Sequence, residues 1–507
     1  MASHDVQERI GGVASEVAAL RRRVAAEGTA LYRSWDARIE RPSFAPSALN
    51  LAHYLVLRQI DLRRLQRRLM ALGLSSLGRA EGRVLATLDA VDGAIDRMLP
   101  RSAADCGRMP SERQFFRGER LLFDSAAEIF GPESEGRAGR IMVTLGTDAA
   151  TAPAILRDFV GRGVNLVRIN CAHDNPDVWA RMIENVQRAG ENGGRMRILM
   201  DIAGPKVRTG EVLSPIGDDR LKIGGEVLLC RAIDPTIVEF PFQCTCSLPG
   251  VFDRIHVGDR VSIDDGALRG KVVRQTPAGF VARIENGAIK GMKLKHGKGL
   301  LFPTVDLGLE PLSDQDRSDL DFVTANADLI GYSFVETADH VALLQEELKR
   351  RRPDWTRLCL VAKIETPMAV GNLPEIIVQA AGRQPLAVMI ARGDLAIELG
   401  FERLAEMQEE ILWICEAAHV PAIWATQVLE GLVKKGMPSR GEMTDAAMAA
   451  RAECVMLNKG PNLGVAIDAL DRLLHRMGEH QIKKTPTLRA LKAWAGVSGP
   501  HMDSRPS

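Results

Sequence analysis

The 507-residue sequence has almost no net charge, because 66 lysines and arginines are balanced by 65 aspartates and glutamates. A formal charge of +1 gives the chain no overall attraction to nucleic acid or to an anionic membrane. Aromatic residues make up only 5% of the sequence, and none is interleaved with the basic cluster at residues 63–68. We therefore expect no nucleic-acid partner and no membrane partner.

Long apolar runs are also lacking. No run reaches the roughly 18 residues of a membrane span, and the first 30 residues contain no apolar core of a signal peptide. The eight cysteines are scattered, and the pair Cys244 and Cys246 has no second pair at the spacing of a zinc ribbon. We expect reduced cysteines and a cytoplasmic protein.

The composition and the apolar pattern of the sequence change near residue 136. Residues 1–136 are rich in arginine and leucine, and their apolar positions recur at helical spacing, which predicts an α-helical N-terminal region. One expected helix carries Leu51 and Leu69 on the same face and is stopped by Gly73. After residue 137, short apolar runs alternate with amphipathic stretches, which is the pattern of a parallel α/β sheet.

Eight such runs predict a closed (β/α)8 barrel. The expected strands are 140–146, 166–170, 197–203, 329–334, 359–365, 387–392, 420–426 and 454–458. Residues 211–304 interrupt the alternation of strands and helices. They contain strand patterns in which apolar and polar residues alternate, together with turn glycines, which predicts an all-β lid inserted between the third and fourth strands. The expected units are 1–136 (helical region), 137–210 (first part of the barrel), 211–304 (lid), 305–480 (second part of the barrel) and 481–507 (tail).

Charged residues appear where two of the expected strands stop. Lys363 and Glu365 close one apolar run, and Arg392 and Asp394 follow the next. The active site of such a barrel lies at the carboxyl ends of its strands, so these side chains are expected to meet. Two carboxylates beside cations suit Mg²⁺ or Mn²⁺ and a phosphorylated substrate. Alternatively, an ordinary ion pair and a helix cap would explain each motif separately.

Seven stretches in this order resemble the pyruvate kinase family across roughly residues 138–475. They are VRINCAH at 167–173, MDIAGPKVRTG at 200–210, IDDG at 263–266, VAKIE at 361–365, MIARGDLAIE at 389–398, WATQVLE at 424–430 and PSRGEMTDAAMA at 438–449. The resemblance implies a glycolytic, Mg²⁺-dependent phosphotransferase that converts phosphoenolpyruvate and ADP to pyruvate and ATP.

The resemblance also implies roles for individual side chains. Glu365 and Asp394 would bind the metal ion. Lys363 and Arg168 would flank the transferring phosphoryl group. Thr426 would take part in protonating the enolate that remains after transfer.

The other implied contacts concern the substrate carboxylate and the nucleotide. The backbone amides of Gly393 and Asp394, together with Thr426, would hold the substrate carboxylate. The residues expected to bind the nucleotide are Asn170, His173, Arg208 and Lys298.

The chain departs from the family pattern at its potassium site. Ala172 and Ile202 stand where most members have oxygen ligands for K⁺. Lys206 replaces a glutamate that is common in potassium-dependent members, and its ammonium is expected to take the place of the ion. K⁺ is therefore not expected to be required.

Three further departures affect the nucleotide and regulation. Asn458-Lys459-Gly460-Pro461 replaces the family's Ser-Gly-Glu-Thr, and Thr147 replaces a proline near the expected nucleotide. Only a short polar tail follows residue 480, so the effector-binding domain of the family and its activation by sugar phosphates are expected to be absent.

Two other functions stay open at this stage. One is a metal-dependent enolpyruvate lyase or aldolase on a related barrel, and the other is a regulatory protein that binds phosphoenolpyruvate. Lys363 and the lid favour the kinase, since an aldolase needs neither a cation on a phosphoryl group nor a nucleotide lid. A homo-oligomer, the nucleotide preference and the role of the N-terminal region are left open.

Overall fold

The N-terminal region of the computed structural model is helical, as expected. The structure describes residues 2–102, 106–107, 109–191, 194–217, 219–264, 266–303 and 305–486. The first helices are α1 (Ala2–Ser34), α2 (Ala45–Arg58), α3 (Arg63–Ala71), α4 (Val84–Met98), α5 (Glu112–Phe115) and α6 (Arg117–Phe130). The single helix expected through Leu51 and Leu69 is wrong: it is divided into α2 and α3, and between them the Asp61 carboxylate accepts a hydrogen bond from the Arg63 amide, a local contact that competes with helical hydrogen bonding.

The first part of the barrel alternates strands and helices. Its elements are β1 (Arg140–Thr144), α7 (Pro153–Gly161), β2 (Leu166–Asn170), α8 (Pro176–Gly190) and β3 (Arg197–Ile202). Almost every residue of these strands is buried, because a parallel sheet that is covered on both faces leaves no side chains for the solvent.

The lid follows β3 and has its own hydrophobic core. Its strands are β4 (Thr209–Leu213), β5 (Arg220–Leu221), β6 (Glu226–Cys230), β7 (Gln243–Cys246), β8 (Arg260–Ile263), β9 (Leu268–Thr276), β10 (Gly279–Gly287), β11 (Met292–Lys293) and β12 (Leu300–Leu301). Seven of them form one sheet in the order β12-β8-β9-β10-β6-β7-β4, in which only β6 and β7 pair in parallel. The lid is therefore a β-structure inserted after the third barrel strand.

The second part of the barrel completes the alternation. Its elements are α9 (Asp314–Asn326), β13 (Leu329–Tyr332), α10 (Ala338–Arg351), β14 (Cys359–Ile364), α11 (Pro367–Gly371), α12 (Leu373–Ala381), β15 (Leu386–Ala391), α13 (Arg392–Leu399), α14 (Phe401–Ala417), β16 (Ala422–Ala425), α15 (Glu430–Lys435), α16 (Arg440–Ala449), β17 (Cys454–Leu457) and α17 (Leu463–Gly478). A short hairpin of β18 (Gln481–Ile482) and β19 (Thr485–Pro486) follows.

Eight parallel strands close into the barrel in the order β1-β17-β16-β15-β14-β13-β3-β2. The register pairs Val143 with Leu457 and Ile390 with Trp424, so neighbouring strands end at similar heights. The (β/α)8 barrel predicted from the sequence is confirmed. In the described residues, no helix is long and apolar enough to cross a membrane.

The helical region packs directly against the barrel. Ile129 and Phe130 of α6 belong to the cluster of side chains that fills the barrel interior near the amino ends of its strands. At a second contact, the indole Nε1 of Trp35 donates to Glu375 Oε1 (3.0 Å), and the Asn50 side chain donates to the Ala417 carbonyl (2.8 Å). The carboxyl ends of the strands therefore remain as the open mouth of the barrel.

Candidate functional site

The neighbouring strands β14 and β15 bring together the two charged motifs of the sequence. Lys363 lies near the end of β14, and Glu365 follows this strand directly. Arg392 is the first residue of α13, directly after β15, and Asp394 lies in the first turn of that helix. Because the two strands pair in parallel, both motifs face the same mouth.

Lys363 is the centre of a buried charge network. Its Nζ lies 3.1 Å from Glu365 Oε1 and 3.4 Å from Asp201 Oδ2, and it donates a hydrogen bond of 2.7 Å to Ser333 Oγ. Arg168 Nη2 lies 2.6 Å from the same Asp201 oxygen. Lys363, Glu365 and Asp201 are at most 8% exposed, so these interactions are weakly screened by water.

The network keeps the Lys363 ammonium and the Asp201 carboxylate charged. Burial alone would lower the pKa of Lys363, but Glu365 and Asp201 raise it above the ordinary value of a lysine. Burial would raise the pKa of Asp201, but Arg168 and Lys363 hold it below its usual range. The site therefore presents a fixed ammonium and a fixed guanidinium on either side of one carboxylate.

Glu365 and Asp394 are chemically suited to a hard divalent cation. Burial raises the pKa of Glu365 despite the opposing effect of Lys363, and the charge of Asp394 contributes to the rise. A divalent cation bound to both carboxylates would remove this penalty. In the described part of the chain, no group of three or more His, Cys, Asp or Glu side chains could hold a metal ion. Two carboxylates fit Mg²⁺, which takes its other ligands from substrate and water.

Lys206, in the loop after β3, reaches the same carboxylate. Its Nζ lies 2.7 Å from Asp394 Oδ1 and 5.9 Å from the centre of the Phe334 ring. Both side chains of the ion pair are largely buried, with exposures of 14% and 20%. The residue that the sequence linked to the potassium site thus contacts a candidate metal ligand directly.

The loop after β16 is held in a strained conformation next to α13. Thr426 has a φ of +63°, in the left-handed region that side chains disfavour. Arg392 holds this loop by donating to the carbonyls of Ala425 (3.0 Å) and Thr426 (2.7 Å) and by pairing with Asp445. Thr426 Oγ1 accepts a hydrogen bond of 2.8 Å from the Gly393 amide, so one of the two amides expected to cradle a carboxylate already has a partner within the protein.

The four residues expected at the nucleotide lie on the barrel and the lid. The Asn170 side chain accepts from the Ala172 amide (3.2 Å). Partial burial has the largest effect in lowering the pKa of His173, and the charges of Lys459 and Arg208 lower it further. The two cations therefore lie near the His173 side chain.

Arg208 and Lys298 are linked to the lid. Arg208 Nη1 donates to the Gly297 carbonyl (3.1 Å), and Lys298 Nζ lies 2.9 Å from Asp264 Oδ1. Arg208 also forms an isolated β-bridge with Gly299. Any ligand held by Arg208 therefore lies at the junction of barrel and lid.

Ser333 was missed in the reasoning from sequence. It follows β13 directly. Its hydroxyl accepts a hydrogen bond from the Lys363 ammonium and donates one to the Ile202 carbonyl (2.7 Å). The next residue, Phe334, has a φ of +55° and donates its amide to Glu365 Oε2 (2.6 Å). The position of Ser333 at the end of an expected strand was the one available signal.

Comparison with known proteins assigns the chain to a family. Residues 136–464 match the family model described as "Pyruvate kinase, barrel domain". A pyruvate kinase of Dictyostelium discoideum is 31% identical over 325 residues, which are 63% of this chain and 61% of that protein.

Two other relatives show the same similarity. The human protein "Pyruvate kinase PKLR" is 31% identical over 335 residues, 64% of this chain and 56% of its own length. A pyruvate kinase of Agrobacterium vitis is 29% identical over 377 residues, 72% of this chain and 74% of its own length. The chain thus spans less than two thirds of the length of the Dictyostelium and human relatives. Because the family model covers most of the chain, the protein belongs to the pyruvate kinase family.

Proposed function

We propose that the protein transfers the phosphoryl group of phosphoenolpyruvate to ADP, giving pyruvate and ATP. The observation that carries the proposal is the buried network of Lys363, Arg168 and Asp201 beside the carboxylates of Glu365 and Asp394. It combines fixed cations for a phosphoryl group with a site for a divalent metal ion, and family membership supports the same chemistry.

Lys363 and Arg168 act on the charge of the phosphoryl group. In the reaction, the bond from phosphorus to the enol oxygen breaks, and a bond to an oxygen of the terminal phosphate of ADP forms. The transferring oxygens carry negative charge at the transition state, which fixed cations stabilise without reorganising. Asp201 holds Arg168 and Lys363 in place, because its carboxylate contacts both cations before any substrate binds.

Glu365 and Asp394 hold Mg²⁺ or Mn²⁺ in this proposal. The bound ion would offset negative charge on the oxygens of the substrate. The chain itself positions the two carboxylates, since the Phe334 amide fixes Glu365 and the first turn of α13 fixes Asp394.

Thr426 takes part in the second step of the reaction, the protonation of the enolate. The enolate left by phosphoryl transfer must gain a proton on its terminal carbon to become pyruvate. A threonine hydroxyl is a weak acid, so Thr426 relays a proton from water and does not act alone. Its strained loop and the hydrogen bond from Gly393 hold the hydroxyl at the mouth.

Lys206 supplies the positive charge that potassium-dependent members of the family take from K⁺. Its ammonium is tethered and lies against Asp394. A tethered charge needs no separate binding step, so the proposed reaction does not depend on K⁺.

A coupled assay tests the proposal against its rivals. The purified protein is supplied with phosphoenolpyruvate, ADP and Mg²⁺, and pyruvate and ATP are measured separately. Equal amounts of both products are expected. Pyruvate without ATP would favour a lyase or aldolase, and binding of phosphoenolpyruvate without any product would favour a regulatory protein.

A further inference from the structure

Among the described residues, the eight barrel strands contain one glycine, Gly331 of β13. A glycine inside a strand weakens it, because it adds backbone freedom to the unfolded chain and offers no side chain to pack. Glycine at such a position often marks a place where another group approaches the backbone closely. The group that approaches Gly331 is a carboxylate on the neighbouring strand.

Gly331 and Asp201 both face the interior of the barrel. Gly331 follows Leu329 by two residues, and Asp201 follows Leu199 by two. Both leucines belong to the cluster of side chains that fills the interior. Alternate residues of a strand share one face, so Gly331 and Asp201 lie in the next layer toward the mouth. The pairing of β13 with β3 places them directly opposite each other.

The Asp201 carboxylate occupies the space in which a side chain at position 331 would lie. A Cβ built on Gly331 would be 1.8 Å from Asp201 Oδ1 and 2.7 Å from Asp201 Cγ. Both distances are shorter than the 3.0 Å below which contacts of a real Cβ are essentially never found. Any side chain at this position would therefore force the carboxylate to move, although Asp201 is fully buried.

The space beside Gly331 lets Asp201 reach across a strand. The strand order in this part of the barrel is β14-β13-β3-β2, so β13 separates Asp201 on β3 from Lys363 on β14. Asp201 Oδ2 nevertheless lies 3.4 Å from Lys363 Nζ, and it lies 2.6 Å from Nη2 of Arg168 on β2. The missing side chain at Gly331 leaves the path from β3 to β14 open.

The orientation of this carboxylate depends on few other contacts. Arg168 and Lys363 both contact Oδ2, whereas Oδ1 is buried and has no hydrogen-bond partner within the described residues. Oδ1 is also the atom that lies against Gly331. A side chain at position 331 would therefore meet the one carboxylate oxygen that no hydrogen bond holds in place.

We propose that Gly331 is a positioning residue of the phosphoryl-transfer site, because its missing side chain allows Asp201 to hold Arg168 and Lys363 together. The proposal rests on the function proposed above, in which the two cations flank the phosphoryl group. A methyl group at position 331 displaces the carboxylate, and the cations lose their common partner. Since fixed cations act on charge that develops at the transition state, the loss falls on kcat more than on the KM for phosphoenolpyruvate.

A double-mutant cycle of the full chain tests this inference. It compares kcat for wild type, Gly331→Ala, Asp201→Ala and the double variant. Gly331→Ala should lower kcat about 10²-fold, the typical cost of misplacing a group at the active site by about 1 Å. In the Asp201→Ala background, the same methyl should change kcat by less than about twofold, because the carboxylate that it displaces is gone.

The matched control is Gly161→Ala, at the last residue of α7, where a Cβ would meet nothing within 4 Å. It should keep the kcat of wild type. Thermal unfolding of the same proteins gives a readout that does not depend on activity. The methyl at position 331 should lower the melting temperature more in wild type than in the Asp201→Ala background, where its nearest remaining neighbour is the Cα of residue 201 at 3.2 Å.

The double variant also decides the case in which Gly331→Ala does not fold. A folded double variant then supports the clash with the Asp201 carboxylate, and an unfolded double variant beside a folded Asp201→Ala overturns the inference. Among folded proteins, an equal effect of the methyl on kcat with and without the Asp201 carboxylate overturns it. Wild-type kcat in Gly331→Ala, or a loss confined to the KM, does so as well.

Failure of the proposed function is seen separately, as absence of pyruvate formation by wild type. The catalytic role of Gly331 then falls with that function. The unfolding measurements still decide whether the missing side chain of Gly331 positions Asp201, because they require no turnover.

Discussion

The ammonium of Lys206 lies 2.7 Å from the carboxylate of Asp394. Asp394 follows β15 and Lys206 follows β3, so the contact crosses the mouth of the barrel between distant parts of the chain. The protein thus places a tethered positive charge against a carboxylate that we propose as a metal ligand. A partly buried pair of this kind is weakly screened and is held by the fold on both sides.

The first prediction concerns this charge. Wild-type turnover should be similar in potassium and in tetramethylammonium salts at matched ionic strength, because Lys206 already supplies a cation and Ala172 and Ile202 offer no side-chain oxygen to K⁺. Initial rates with phosphoenolpyruvate and ADP measure this. A steep, saturating rise of turnover with K⁺ would show that Lys206 does not replace the ion.

The variant Lys206→Glu tests the same point from the other side. It places a carboxylate beside Asp394, so repulsion should lower turnover. Added K⁺ should rescue the variant only weakly, since the oxygen ligands are still missing. Full rescue by K⁺ would contradict the role given to Ala172 and Ile202.

The second prediction is that Lys363→Met lowers turnover by roughly 10² to 10³, the usual effect of removing one group that stabilises transition-state charge. Metal-dependent binding of phosphoenolpyruvate should persist. The variant also leaves the Glu365 and Asp201 carboxylates without their ammonium, so thermal unfolding must confirm that the protein is folded at the assay temperature. Lys349→Met, at an exposed lysine in the last turn of α10, is the control. Turnover near the wild-type value in Lys363→Met would remove Lys363 from the mechanism.

The third prediction concerns acid stability. His419 is buried, and its imidazole joins the helical region to the barrel through Ser47 Oγ and the Gly82 carbonyl, each at 2.9 Å. Burial lowers the pKa of His419 from 6.5 to about 4. The folded state therefore binds fewer protons than the unfolded state between these values, and stability is lost as the pH falls from 6.5 toward 4.

His419 alone should lower the free energy of unfolding by about 2 kcal/mol between pH 7.5 and pH 5. Urea unfolding of wild type and His419→Asn at both pH values measures the effect. Asparagine tolerates the φ of +50° at this position and does not titrate, so the variant should lose less stability on acidification. An equal loss in both proteins would show that His419 is not the titrating group.

The fourth prediction concerns the contact between α6 and the barrel. Phe130→Ala should destabilise the protein by about 3–5 kcal/mol, because the ring is fully buried among the side chains that fill the amino end of the barrel. Phe123→Ala, on the same helix but 51% exposed, is the matched control and should have little effect. Similar unfolding curves for Phe130→Ala and wild type would mean that α6 does not close the barrel.

The sequence predicted the barrel well because buried parallel strands produce apolar runs that end abruptly. The run at residues 386–391 is an example, since it is followed at once by Arg392 and Asp394. Such a strand end indicates which residues lie at the mouth of the barrel. It does not indicate which residues of other strands they contact, and for this reason only the structure shows the pairing of Lys206 with Asp394 and the contact of Ser333 with Lys363.

The helical region shows the same limit. Helical spacing identified an apolar face in α2 but not the surface that this face covers, because periodicity carries no information about the partner. Ser47, Asn50 and Trp35 gave no signal in the sequence, although their side chains bond directly to the barrel. The division between α2 and α3 was missed because leucines recur at helical spacing on both sides of it, although α2 already ends at Arg58.

Phosphorus NMR of the full chain with phosphoenolpyruvate, ADP and Mg²⁺ is the most direct test of phosphoryl transfer, because it follows the phosphoryl group itself. We expect the signal of phosphoenolpyruvate to decay while the γ-phosphate signal of ATP rises in equal amount, and Lys363→Met to slow both changes together. Release of inorganic phosphate without ATP, or an unchanged spectrum from folded wild-type protein, would contradict it.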